Sequence, residues 1–371
     1  MNKIKEFIKS KKFLSIISSF VCIFIGLLIG FIVLFCMSPS DSFYEFSIMI
    51  TGGLTYGGIS SFSKILANAA PLMMTGLCVL FAYKTGLFNI GVAGQYVMGS
   101  FGALIGVLAF KGNWLLGLLL GVLFGALWGA IPGLLKTFCG VSEVISGIML
   151  NWISLFFTNY SFQTYLSSCV DPKVGYKTYS VTYFNANGKL PDLGLSKYLG
   201  PYFSISIFIA ILVAILIFVI LNKTTLGYQL KASGLNKDAT RYAGMADKRN
   251  VIITMVISGA LAGLGASLYY LADLESISVQ LSSNLPSVPW NGIVIAFLSQ
   301  LNPLGAIFAS IFIAWISQGA KVMTQTIFPA EFGDLIIGII VYLSGLTALI
   351  QQIILKFKHK KKKSLEVKED K

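Results

Sequence analysis

Apolar residues in this chain come in long blocks separated by short polar breaks. Blocks of about 20 residues recur along its whole length, each long enough to cross a hydrocarbon core of roughly 30 Å. They predict spans at approximately 13–37, 63–83, 91–110, 114–135, 141–160, 203–221, 250–272, 291–301, 304–323 and 334–355. The eighth is too short to cross alone. It pairs with the irregular stretch 273–290 as a broken or re-entrant segment, which is tolerated only where protein or a cavity surrounds the backbone. A soluble domain cannot hide so many helices that are apolar all round. The pattern predicts an all-α polytopic membrane protein with about ten transmembrane helices, including broken or re-entrant segments. The first block follows a basic start, as in a signal peptide. It is too long for the apolar core of one, and no small-residue cleavage site follows, so it reads as a retained first span.

Composition agrees. Hydrophobic residues make up 56% of the chain and charged residues 12%, against roughly 25% charged in a typical soluble domain. Mean hydropathy is +0.79. The net charge of +13 suggests nucleic acid until its distribution is read. Basic residues crowd the N-tail, the break at 222–249 and the C-tail. With the N-tail inside, only Lys64, Lys111, Lys173, Lys177, Lys189, Lys197 and Lys321 fall outside. This positive-inside pattern puts both termini in the cytoplasm and needs no nucleic-acid partner. It divides the chain into a basic cytoplasmic N-tail (1–12), a transmembrane domain (13–355) and a Lys-rich cytoplasmic C-tail (356–371), both tails suited to anionic membrane lipids.

The polar stretch 161–202 becomes the longest extracytoplasmic loop, either a solvated connector or a surface on which an external partner or ligand lands. Four of the five cysteines sit in apolar runs as small apolar residues, and no cysteine–histidine spacing suits a metal. There is no GxxxxGK[ST], so the chain does not hydrolyse ATP by itself. No nucleophile–base pair suggests an enzyme.

Four segments carry candidate chemistry. GLFNIGVAGQYVMGSFGA (86–103) is dense in glycine around Asn89 and Gln95. Such a segment either breaks a helix and offers amides to a polar solute, or packs helices closely with the amides bonded to neighbouring backbone. GVSEVISGIMLNWISLFFTNY (140–160) opens with Ser142 as an N-cap and Glu143 in the first turn. It carries Asn151 near mid-span, either a tie between helices or a pathway residue. In 260–306, Ala262, Gly263, Gly265 and Ala266 form a small-residue face, and Asp273 and Glu275 read as solvated interface acids. Trp290 and Asn291 begin a half-helix whose positive end suits a cavity. Last, NKTTLGYQLKASGLNKDATRYAGMADKR (222–249) contains a helix-prone stretch closed by Gly244, either an amphipathic segment on the headgroups or a docking helix for a cytoplasmic partner.

GLFNIGVAGQYVMGSFGA, GLNKDATRYAGMADKRNVIITMVISGALAGLGAS and GIVIAFLSQLNPLGA resemble the inner-membrane permeases of ABC importers for simple sugars, nucleosides and branched-chain amino acids. The length and the 161–202 loop look most like the larger permease of purine-nucleoside-type systems. The resemblance implies a prokaryotic plasma-membrane location and three partners: a second, different permease chain, a cytoplasmic ABC ATPase that binds ATP and Mg, and an extracellular substrate-binding lipoprotein. It implies no cofactor in this chain. It carries the coupling role onto Gly234, Asn236, Asp238, Ala239, Arg241, Tyr242 and Gly244, although such permeases prefer Ala-Ala where this chain has Ala239-Thr240. It matches Asn89, Gln95 and Asn151 to the substrate pathway, which Trp290 and Asn291 would join. The expected function is inward translocation of a nucleoside or sugar-like solute by alternating access. The alternatives are a stand-alone secondary carrier or an ABC permease for sugar or branched-chain amino acids.

Overall fold

The computed structural model describes residues 11–174, 177–277, 284–323 and 331–345. The predicted C-tail and nearly all of the predicted N-tail lie outside the described residues. Almost everything described is helical, with one two-stranded pair, β1 (Val170–Asp171) against β2 (Lys177–Thr178). The main helices are α1 (Lys11–Met37), α2 (Ser42–Ile50), α3 (Leu54–Lys84), α4 (Val92–Leu104), α5 (Trp114–Cys139), α6 (Glu143–Thr164), α7 (Ser206–Lys223), α8 (Thr225–Leu235), α9 (Lys237–Tyr242), α10 (Asp247–Tyr270), α11 (Ser287–Leu298), α12 (Pro303–Met323) and α13 (Glu331–Gly345).

Seven described stretches are long and apolar enough to cross a membrane, so the chain is a multi-pass membrane protein. The differences from the predicted spans have physical causes. Helix α6 is long enough to cross, but Ser146, Asn151, Ser154, Thr158, Asn159 and Ser161 lower its hydropathy. Helix α11 spans 12 residues and begins at Ser287, four residues before the predicted start. The last predicted span is described only to Gly345. Helix α2 occupies a stretch the pattern left as loop.

The chain forms two compact units. The smaller comprises the described residues up to Gly53 and from Gly319 onward. There, Gly26 and Gly30 let α1 lie close on α13: a Cβ at these positions would sit 2.5 and 2.7 Å from side-chain carbons of Ile340 and Ile336. Phe31 of α1 meets Phe43 and Phe46 of α2 at 5.0 Å between ring centroids.

The larger unit, Leu54–Gln318, is built around α4, every residue of which is buried. Helices α3, α5, α6, α10 and α11 pack against it. The closest pairing is α5 with α10. Helix α5 carries Gly117, Gly121, Gly125, Gly129 and Gly133, one every fourth residue and therefore along one face. Gly121, Gly125 and Gly129 meet Gly259 and Gly263 of α10 backbone to backbone, the small-residue packing that membrane helices use in place of a hydrophobic driving force.

The stretch 161–202 is more than a solvated connector. Thr178 N–H donates to the Ile277 carbonyl at 2.9 Å, and Leu190 N–H to that of Leu271 at 2.9 Å. Asn185 Nδ2 donates to the carbonyls of Val107 (2.9 Å) and Gly112 (2.7 Å). The loop is thus fastened to the ends of both α4 and α10.

Candidate functional site

At the predicted cytoplasmic end, the 222–249 stretch folds as two helices rather than one. Asn236 is extended (φ −155°) and separates α8 from α9. Its side chain then caps α9, accepting from Ala239 N–H at 3.0 Å. Thr240 turns inward and is 3% exposed. Asn236, Asp238, Ala239, Arg241, Tyr242 and Gly244 are exposed. Gly244, at φ +73°, takes the left-handed conformation that turns the chain toward α10. Arg241 pairs with Asp247 at 2.7 Å, tying the turn to the first residue of α10. Two large apolar side chains stand in the open here: Leu235 is 89% exposed and Tyr242 95%.

The base of this projection is joined to the core. Gly234 lies so close to the turn after α3 that a Cβ there would come within 2.5 Å of the Thr85 carbonyl carbon and 2.6 Å of the Gly86 nitrogen. Gly86 itself sits at φ +77°. Asn250 Nδ2 donates to Ser233 Oγ at 2.7 Å, fastening α8 to α10.

The predicted pathway amides are buried. Asn89 Nδ2 donates to Gln95 Oε1 (2.8 Å) and Ser258 Oγ (2.7 Å), and lies 3.4 Å from Cys78 Sγ. Ser258 Oγ in turn donates to the Cys78 carbonyl at 2.8 Å. One cluster therefore binds α3, the start of α4, and α10. Asn151 spans α6 and α4: its Oδ1 accepts from Gly94 N–H at 2.7 Å and its Nδ2 donates to the Ile90 carbonyl at 3.1 Å. Trp290, 37% exposed, and the half-buried Asn291 take no part in these bonds and stand one turn into α11, which begins at Ser287. Sequence reasoning missed Cys78 and Ser258. Their signal was a thiol and a hydroxyl at mid-span in apolar runs, which read equally well as small core residues.

Glu143 is where its cap motif put it. Ser142 Oγ accepts from Val144 N–H at 3.3 Å, and Glu143 pairs with Lys136 across the α5–α6 turn at 2.5 Å. At the other end of α10, Asp273 holds the 161–202 loop. Its carboxylate accepts from Ser180 Oγ (2.6 Å), Val181 N–H (3.1 Å) and Thr182 N–H (3.3 Å). Burial pushes this carboxyl up, but those donors outweigh it and hold it below its ordinary value of 3.8. The stabilisation is therefore complete above that value and is lost as pH falls through the lower, folded one. Asp273→Ala is expected to cost on the order of 2 kcal/mol of local attachment. Hydrogen exchange at 178–190 should rise at pH 7 and lose its acid-side dependence; unchanged exchange would deny the clamp.

The described chain is a helical, multi-pass membrane protein carrying an exposed helical projection, and its class follows from the family it matches: the membrane transport permeases. The chain belongs to the family described as branched-chain amino acid transport system / permease component, which matches residues 61–345. It is 30% identical to the nucleoside ABC transporter permease protein NupB of Lactococcus lactis subsp. cremoris (strain MG1363), over 91% of this chain and 93% of that one. It is 32% identical to the guanosine ABC transporter permease protein NupP of Bacillus subtilis (strain 168), over 82% and 86%. A second permease of that bacterium, the guanosine ABC transporter permease protein NupQ, is 25% identical over 67% and 77%. No solved structure matches the chain.

Proposed function

We propose that this chain is the permease subunit of an ATP-binding-cassette importer that moves a nucleoside inward by alternating access. The observation that carries this reading is its similarity, over most of its length, to permeases named for nucleoside and guanosine transport. NupP and NupQ share one organism and one named solute, which supports pairing with a second, different permease chain. The ATP and Mg belong to a separate cytoplasmic ATPase. An extracellular lipoprotein delivers solute at the 161–202 loop, where a cleft of about 900 Å³ opens beside Lys111, Trp114, Lys189, Asp192 and Phe203.

Both termini and the 222–249 loop face the cytoplasm of a prokaryotic cell in this reading. Gly234, Asn236, Asp238, Ala239, Arg241, Tyr242 and Gly244 form the coupling element, with Leu235 and Tyr242 as apolar anchors for a cleft in the ATPase. An exposed aromatic side chain is a favoured anchor at protein interfaces. Closure of the ATPase pair moves the loop, which presses on the α3–α4 turn through Gly234 and on α10 through Asn250. When the helices part, Asn89, Gln95, Asn151, Trp290 and Asn291 offer their polar groups to the solute.

Deleting residues 236–243 is expected to abolish co-purification of the ATPase while the second permease is retained. A deletion that keeps the ATPase would sink the coupling assignment. The family description favours a second cargo, a branched-chain amino acid. Uptake of labelled guanosine, ribose and leucine, with and without the ATPase, separates the two. Uptake that survives loss of the ATPase would make the chain a secondary carrier.

A further inference from the structure

Buried polar groups inside a membrane protein find partners, and each exception calls for a cause. Helix α6 follows the rule along most of its polar face. Ser146 Oγ donates to the Ser142 carbonyl at 3.0 Å, Ser154 Oγ to the Asn151 carbonyl at 2.7 Å, and Asn151 is bonded at both ends. Thr158 and Asn159 break it. They are 1% and 5% exposed, and neither Thr158 Oγ1 nor Asn159 Oδ1 has a partner.

Thr158 continues the face formed by Gly147, Asn151 and Ser154, at helical spacing. That face looks onto α4, since Gly147 lies against Gly91 and Asn151 against Gly94. Two turns further along α4, Phe101 meets Phe157 and Phe162 edge-on, at centroid distances of 5.4 and 5.6 Å. Thr158 therefore stands on the face of α6 toward α4, close to Phe162, with Phe157 on one flank of the helix and Asn159 on the other. Phe157 is 46% exposed, so the seam has an open edge at this level.

We propose that this part of the α4–α6 seam is a binding site for the nucleoside, its base placed among Phe101, Phe157 and Phe162 and its ribose hydroxyls on Thr158 Oγ1 and Asn159 Oδ1. The assignment rests on the nucleoside reading above. All five groups are uncharged, so they suit a neutral solute with a flat apolar part and hydroxyl donors. A zwitterionic amino acid finds no counter-charge among them. In the structure the seam is closed and the two oxygens wait without partners. The amides of Asn89, Gln95 and Asn151, by contrast, must give up existing bonds to serve a solute.

The test is guanosine uptake by the complete transporter in vesicles, with Thr158→Val, Thr158→Ser and Asn159→Ala in this chain. Val matches Thr in shape, and the hydroxyl it removes has no partner, so the melting temperature should hold or rise. Thr158→Val should raise KM about fivefold to tenfold at near-constant kcat, the loss of one hydrogen bond made equally in ground and transition states. Asn159→Ala should do the same, and Thr158→Ser should restore the wild-type KM. An unchanged KM in Thr158→Val would overturn the site while leaving the nucleoside reading intact. A wild-type transporter that carries leucine or ribose but not guanosine would overturn that reading, and the site with it.

Discussion

Leucine in place of Gly125 should prevent the permease from accumulating in a folded form. A Cβ at this position would lie 2.5 Å from the Gly259 carbonyl oxygen and 2.7 Å from the Gly263 Cα, both backbone atoms of α10. Backbone cannot rotate away as a side chain can. The four carbons of leucine therefore force the two helices apart along the contact that also includes Gly121 and Gly129. Overpacking typically costs 1–3 kcal/mol, and separating two rigid backbones sits at or above the top of that range, roughly 3 kcal/mol or more. Membrane proteins gain their helix contacts from close packing, so little compensates for the loss. The check is the amount of monodisperse protein extracted in detergent and its melting temperature. Wild-type yield and melting would mean that α5 and α10 are not pressed together at this glycine.

Gly234→Val should leave the protein folded yet reduce solute uptake at least tenfold. Valine's Cβ would collide with the Thr85 and Gly86 backbone, and α8 would have to lift from the α3–α4 turn. The exposed surface of α9, including Tyr242, is unchanged by the substitution, so the ATPase should still co-purify. What is lost is the rigid contact through which a movement of the loop reaches α3 and α4. The experiment compares uptake with ATPase recovery in one preparation. Normal uptake would show that force does not pass through this contact; loss of the ATPase would show that the loop's position, rather than its coupling, had changed.

How far the sequence reveals these features depends on the range of the interaction. The membrane class and the helix positions follow from runs of apolar residues, which need only local reading. The Ser142–Glu143 cap and the Gly244 turn were legible for the same reason, since their partners lie within a few residues. The break at Asn236 was not, because the stretch is helix-prone on both sides and only the capping geometry shows that Asn236 leaves the helix. The glycine stripe of α5 stands at four-residue spacing but went unread, because glycines in an apolar span signal no partner by themselves. Its partner on α10 is far along the chain, and the small-residue face of α10 could have met any helix. The role of Asp273 escaped reading for the opposite reason. An acid at a span end reads as solvated, and only the fold of the distant 180–182 turn supplies the donors that bind it. Asn89, Gln95 and Asn151 stood out in the sequence as polar groups in an apolar setting. Which neighbours they hold depends on the facing of three helices, which periodicity alone does not supply.

The complete burial of α4 bears on how the protein is made. A helix that touches no lipid once folded must pass through lipid while the later helices are still being synthesised. During that interval Asn151 reaches it early, from the next helix but one, whereas Ser258 arrives only with α10. Asn89 and Gln95 can answer each other in the meantime, which shields two amides from hydrocarbon before their final partner exists. Chains that stop short of α10 would present α4 half-wrapped, with a glycine-lined face open to the bilayer. Membrane quality control should recognise and degrade them, so the α4–α10 contact marks the point in synthesis at which the nascent permease becomes safe to keep.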